Sequence, residues 1–278
     1  MDPSSRLPPD LVEHARAFAS GEREPSPAVD ASTVLLLREG SAGPEVYLLR
    51  RHAQMAFAAG MYAFPGGRVD PRDLDHTVGW AGPPATEWAD LLRCDEVRAR
   101  ALVCAAVRET FEESGVLLAG ADESSLVSDT TGDDWERDRV ALVAHSVAFS
   151  DFLASRGLVL RSDLLRLWAH WVTPEFEPRR YDTRFFLAAL PSGQRTRDVS
   201  GEADRVEWRA PGGAVAAAET GEMQMLPPTY VTLAELSAYD TIAAALDAAA
   251  DREIVTVLPR VAFDGDDGRL VHDGVPLP

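Results

Sequence analysis

Arg108-Glu109-Thr110-Phe111-Glu112-Glu113-Ser114-Gly115-Val116 sets three carboxylates and an arginine within six residues and places a glycine close behind them. On a helix turning about 100° per residue, the three glutamates share an arc of about 100°. Cys104, Val107 and Phe111 fall on the opposite side. One face therefore packs on a core while the other gathers negative charge. Carboxylates crowded in this way repel each other, and a hard divalent cation such as Mg²⁺, which takes oxygen ligands, relieves that repulsion.

A run of charge is most often a solvated helix face. Three features argue against that reading here. The acids stand at the C-terminal end of the helix, where the macrodipole disfavours negative charge. Arg108 stands among them and can hold a carboxylate in a fixed orientation. Upstream, Phe64-Pro65-Gly66-Gly67 offers a glycine pair that lets backbone approach a ligand closely, and a carbonyl at Gly67 can complete a metal shell.

The rest of the chain narrows the function classes. Its 278 residues suffice for one elaborated domain with a substantial core. A net charge of −18 argues against a nucleic-acid backbone or an anionic membrane as the main partner. A phosphate ester would then have to be met locally, by metal and arginine. All 27 basic residues are arginine, which excludes a Walker-type phosphate lysine and Schiff-base chemistry. Cys94 and Cys104 are too few for a disulfide scaffold. No apolar run reaches membrane-spanning length, the stretch 1–24 lacks an apolar signal segment, and Val275-Pro276-Leu277-Pro278 is not a peroxisomal address. The expected compartment is the cytoplasm.

Along the chain, residues 1–28 read as a leader with a short helix over 11–20. Residues 31–38 and 45–51 read as neighbouring antiparallel strands across a turn. The segment 95–114 is the strongest helix, with Gly115 as its stop. Helices are also expected over 134–156, 161–170, 214–220 and 232–250, and strands over 182–190, 205–209 and 254–263. Strands with helices before, between and after them give an α/β sandwich.

The acidic run and the glycine pair together resemble the Nudix box, Gly-x5-Glu-x7-Arg-Glu-apolar-x-Glu-Glu-x-Gly-apolar. Here the second half is Arg108 to Val116, with Thr110 at the first apolar position and Phe111 next, and the first half is Phe64 to Gly67. The box is interrupted. From Gly67, the Glu position falls on Asp73 and the arginine is due at 81, but it stands 27 residues later. Asp73, Glu87 and Glu96 all compete for the displaced acid's place.

An insertion inside the box resembles a Nudix subgroup that includes the peroxisomal acyl-coenzyme A diphosphatases of animals. The segments 171–175, 180–186 and 226–229 look like it as well. The resemblance implies a Nudix α/β/α sandwich with a mixed sheet, spanning about 29–265. An insertion over 74–96, a helical elaboration over 121–171, extra C-terminal helices and a tail over 266–278 complete the expected organisation. It also implies Mg²⁺- or Mn²⁺-dependent hydrolysis of a nucleoside diphosphate linked to another group. Coenzyme A or acyl-coenzyme A is the favoured substrate. Leu48-Leu49-Arg50-Arg51-His52-Ala53 and Gly60 partly match a coenzyme A signature, but Ala56 stands where that signature has an arginine. ADP-ribose or NADH hydrolysis, or a non-catalytic nucleotide sensor, are the competing readings. Small nucleotides are the expected partners, and a homodimer is a family expectation.

The resemblance assigns Glu112 and Glu113 as metal ligands and Glu109 as a further ligand or the base. It gives Arg108 the orienting role and makes the Gly67 carbonyl an extra ligand. Glu202, in a later loop, is a candidate acid whose bland alternative is a turn residue. Arg51, Arg68, Arg180 and Arg184 are candidate phosphate contacts, each more often a structural salt bridge. The alternation of Asp182 and Arg184 favours a structural pair. His52 and His170 read as structural, Trp168 and Trp171 as helix-face core, and Trp80 and Trp88 as possible pocket lining.

Overall fold

The computed structural model describes residues 6–54, 58–197 and 203–277. In chain order its elements are α1 (Pro9–Ala19), β1 (Val29–Gly40), β2 (Gly43–Arg51), β3 (Tyr62–Ala63), β4 (Gly66–Arg68), β5 (Trp80–Ala81), α2 (Ala85–Leu92) and α3 (Glu96–Ser114). There follow β6 (Ala119–Gly120), α4 (Asp133–Val143), α5 (Phe149–Ser155), β7 (Val159–Arg161), β8 (Arg166–Val172), β9 (Tyr181–Ala189) and β10 (Ala203–Arg209). The last are α6 (Pro211–Glu219), α7 (Pro227–Leu236), α8 (Ile242–Ala250), β11 (Thr256–Val257), β12 (Arg260–Asp264), β13 (Asp267–His272) and β14 (Val275–Pro276). A 3₁₀ turn, Pro71–Leu74, lies between β4 and β5, and another, Ser162–Leu164, between β7 and β8.

The main sheet runs β10-β2-β1-β9-β8-β11, with β3 on β2 and β4 on β1. It is mixed: β1 pairs with β9 in parallel and with β2 and β4 antiparallel. Central β1 is apolar on both sides. Val34 and Leu36 join the core under α2, α3 and α5, whereas Leu35 and Leu37 join the core under α6, α7 and α8. Each such fully buried side chain stabilises the fold by about 1.5–3 kcal/mol relative to exposure. The result is a sheet between two helical layers, an α/β/α sandwich.

Several expectations change. The helix read over 161–170 is instead the end of β7, a short 3₁₀ turn over Ser162–Leu164 and most of β8. Both faces of β8 are covered, so Leu167, Trp168, Ala169 and Trp171 are all buried and the period-2 alternation that marks a half-exposed strand is absent. The register on β9 slips between Leu167 and Ala169, a bulge at Trp168, which meets Tyr239 edge-on and lies under Arg252. Trp168 and Trp171 are therefore strand core. The helix expected over 134–156 breaks into α4 and α5 near His145, whose φ is +53°. That over 232–250 is α7, which begins earlier at Pro227, followed by α8. The strand over 254–263 divides into β11 and β12, and Pro259 lies between them. Residues read as leader and tail meet each other: Leu7 N–H donates to Gly268 O at 2.9 Å, and Arg6 pairs with Asp267 at 3.1 Å.

Candidate active site

The site begins with the caps of α3. The Asp95 side chain accepts from Arg98 N–H at 2.9 Å, and Gly115, at φ +74°, takes the left-handed position that stops the helix. Ser32 on β1 donates its hydroxyl to Leu102 O at 2.6 Å and ties the middle of α3 to the sheet. Beside it, Ser32 and Thr33 pair with Gly67 and Gly66 of β4. A Cβ on Gly66 would stand 2.5 Å from Ser32 O, and one on Gly67 would stand 2.5 Å from Glu109 Oε1. The glycine pair is thus required by close approach to the sheet and to the first glutamate. Glu113 Oε2 accepts from the Gly66 N–H at 2.7 Å, joining the two halves of the motif.

Arg108 is the hub. Its Nε and Nη2 each donate to Asp73 at 2.9 Å, its Nη1 donates to Glu109 Oε1 at 2.8 Å and to Glu112 Oε1 at 3.2 Å, and Nη2 also reaches Arg68 O at 3.1 Å. The bidentate fork fixes Asp73 in orientation as well as distance. Asp73 is delivered by the 3₁₀ turn, where Asp70 and Asp73 form a reciprocal capping box. Of the three acids competing for the displaced position, Asp73 is 1% exposed and bonded to Arg108, whereas Glu87 and Glu96 are exposed on α2 and at the start of α3.

This packing strains the carboxylates. Burial, reinforced by the charges of Glu112 and Asp73 and opposed by Arg108, pushes the Glu109 carboxyl up to about 7. Burial raises Glu112 as well. Burial works against the Arg108 charge, but Asp73, Glu109 and Glu112 outweigh it and hold the guanidinium firmly protonated. Among the described residues, no three acidic, histidine or cysteine side chains converge closely enough to hold a metal ion. Arg108 occupies the centre between Asp73, Glu109 and Glu112. The donor set nonetheless suits a hard cation: it is all oxygen, and Glu109 and Glu112 carry charge that their surroundings resist.

The other candidates are scattered. Glu202 and Ala56 lie outside the described residues. Arg68 is exposed at the end of β4. Arg51 ends β2, and its N–H donates to Met61 O at 2.9 Å. Arg180 donates to Ser26 O at 2.6 Å. Arg184, 3% exposed, belongs to a separate network with Asp182, His170, Arg98 and Asp30. Arg98 precedes Arg108 by ten residues, about 15 Å along the helix. His52 is exposed. In the insertion, Trp88 is core against Phe186, and Trp80 stacks under Arg100 and donates to Pro83 O.

Two arginines that the sequence reading did not single out hold the site from outside. Arg139 of α4 donates to Glu112 O at 2.7 Å. Arg72 chelates Asp70 and donates to His145 O at 3.0 Å. The Asp70-x-x-Asp73 spacing is a capping signal visible in sequence; nothing in the sequence around Arg139 points towards α3.

A glycine strand under a helix that ends in Arg-Glu-x-x-Glu-Glu, within a mixed sheet between helical layers, defines a Nudix-type sandwich. The family described as NUDT19 Nudix domain matches residues 86–236, and the chain belongs to that family. The match begins inside the insertion, downstream of Gly67 and Asp73. The chain is 24% identical over 229 residues to acyl-coenzyme A diphosphatase NUDT19 of Xenopus laevis, covering 69% of this chain and 59% of that protein. To the Gallus gallus protein of the same name it is 25% identical over 272 residues, covering 81% of this chain and 67% of that one. The chain thus spans about three fifths to two thirds of these relatives. A solved Nudix hydrolase from Alicyclobacillus acidocaldarius superposes with a TM-score of 0.68 at 28% identity, over 80% of this chain and 96% of that one. Among the described residues, no helix is long and apolar enough to cross a membrane.

Proposed function

We propose that the protein is a divalent-cation-dependent pyrophosphohydrolase that splits coenzyme A or acyl-coenzyme A into 3′,5′-ADP and a phosphopantetheine. The observation that carries this reading is the Arg108 hub, which gathers Asp73, Glu109 and Glu112 beside Gly67 in a member of this family. The names of the frog and chicken relatives and the partial match over 48–60 support the substrate.

Glu112 and Glu113 supply the principal oxygen ligands, with Gly67 O and Glu202 as further donors. Bound there, Mg²⁺ or Mn²⁺ neutralises the charge that builds on the phosphoryl oxygens and makes a water easier to deprotonate. Glu109, pushed up to about 7, is suited to take a proton from that water near neutral pH. Arg108 holds Glu109 and Glu112 in fixed orientation, and the exposed Arg68 offers a cation to substrate phosphate. The chain's net charge of −18 gives no general attraction for an anionic substrate, so local cations must provide it.

A panel of coenzyme A, acetyl-coenzyme A, ADP-ribose and NADH with Mg²⁺ and Mn²⁺, read by product mass, tests this. The expected result is 3′,5′-ADP from the coenzyme A substrates and none with Glu112→Gln. Turnover of ADP-ribose with none of coenzyme A would overturn the substrate; no turnover of any member would favour a nucleotide sensor.

A further inference from the structure

We infer that α4 and the turn after it form a clasp that sets the separation of the two halves of the interrupted site, with Arg139 and Arg72 as positioning residues. The inference rests on the reading that Glu112 and Glu113 hold a divalent cation. An insertion between Gly67 and Arg108 leaves Asp73 and the glutamates on different elements, so something must hold those elements in register. Arg108 does so from within. Among the described residues, α4 does so from outside.

The contacts reach both halves. Arg139, buried, donates through Nη1 to Glu112 O at 2.7 Å, while Nε and Nη2 are held by Glu136 at 2.9 and 2.6 Å. Glu112 O is one of the carbonyls that a helix end leaves without an internal partner, and a cation there also complements the helix dipole. Two to four residues after α4 ends, the chain turns back on the other half. Arg72 Nη1 donates to His145 O at 3.0 Å and Val147 O at 3.4 Å, and the same guanidinium chelates Asp70. Asp70 caps the 3₁₀ turn that presents Asp73. One polypeptide stretch, 133–147, therefore grips the backbone carrying Glu112 and the turn carrying Asp73. This gives the helical elaboration a role in the site without touching substrate.

The test compares Arg139→Met, Arg139→Lys and Arg72→Met with Arg156→Met. Arg156 also bonds α4, through Asp134 and Asp138, and stacks on Trp135; these side-chain bonds go to α4 and not to α3 or the 3₁₀ turn Pro71–Leu74. Mn²⁺ affinity is read by the electron-spin signal of the free ion, beside the urea unfolding midpoint of each variant. Supporting residues of a metal site change affinity by about 10–100-fold. Arg139→Met and Arg72→Met are expected to weaken Mn²⁺ binding by about tenfold or more. Arg139→Lys should recover part of the loss, and Arg156→Met should lose stability with affinity kept. Hydrogen exchange adds a readout that needs no metal: Arg139→Met should speed exchange at Phe111–Gly115 and, across the gap, at Asp70–Asp73. Unchanged affinity, or exchange no faster than in Arg156→Met, would overturn the clasp. A wild type that binds no Mn²⁺ would overturn the metal reading, and the exchange data would then decide the clasp alone.

Discussion

Two ion clusters lie along α3, and they differ in charge balance. Near the start of the helix, Arg98 and Arg184 face Asp30 and Asp182, two charges against two. Asp182 is bonded at both oxygens, by His170 and Arg184 at one and Arg98 at the other, and His170 Nδ1 is in turn joined to Thr256. Burial opposes the Asp182 charge, but these partners outweigh it and hold the carboxyl well below the usual carboxylate range. Near the helix end, one arginine faces three acids, Asp73, Glu109 and Glu112, and two of those carboxyls are pushed up. The balanced cluster fastens β1, β8, β9 and α3 together. The unbalanced one keeps negative charge that the protein itself does not neutralise. The same residue types thus build a brace in one place and a cation-seeking site in the other.

Breaking each cluster should give opposite outcomes. The largest effect is expected from Glu112→Gln, which should lower kcat/KM for coenzyme A by at least about 100-fold while the unfolding midpoint holds or rises, because a carboxylate that burial resists has been neutralised. Arg184→Met should do the reverse. Leaving Asp182 short of a buried partner should cost about 3–5 kcal/mol of stability, with kcat of the folded fraction unchanged. Chemical denaturation beside kinetics separates the two. A kinetic loss in Arg184→Met without destabilisation would blur the distinction drawn here.

The clusters should also respond to pH with opposite sign. A depressed folded value, as for Asp182, adds stability that is complete above the unfolded carboxylate range and is lost as pH falls through the folded value. A raised one, as for Glu109, means that the fold prefers the neutral acid. Its contribution is complete below 4.5 and is lost as pH rises to about 7, at a cost of about 3 kcal/mol. Urea midpoints across this window in EDTA should fall in the wild type and stay flatter in Glu109→Gln, and Mn²⁺ should restore stability most at the upper end. The smallest effect is expected from Glu87→Gln and Glu96→Gln. Both exposed changes should stay within about 0.5 kcal/mol and leave activity intact, while Asp73→Asn should not.

What the sequence made legible follows from where the decisive interactions lie. The helix 96–114 was readable almost to the residue, because both its caps, Asp95 and Gly115, are local. The crowded glutamates were readable because helix periodicity alone puts them on one face. β8 was not, because a strand covered on both sides and bulged at Trp168 has no alternation to read. Counting from Gly67 reached Asp73, but the insertion breaks the count back from Arg108, so Glu87 and Glu96 stayed in contention; the fold brings the Asp73 carboxylate to Arg108. Arg139 was invisible for the same reason, being a helix residue whose partner is a backbone carbonyl 27 positions away.

The most direct measurement is Mn²⁺ titration of the wild type, the Glu109→Gln/Glu112→Gln double variant and Arg184→Met, read by the spin signal of free Mn²⁺ at pH 7.5. The account predicts binding to the wild type and to folded Arg184→Met, and its loss in the double variant. Binding that survives in the double variant, or that disappears in folded Arg184→Met, would contradict it.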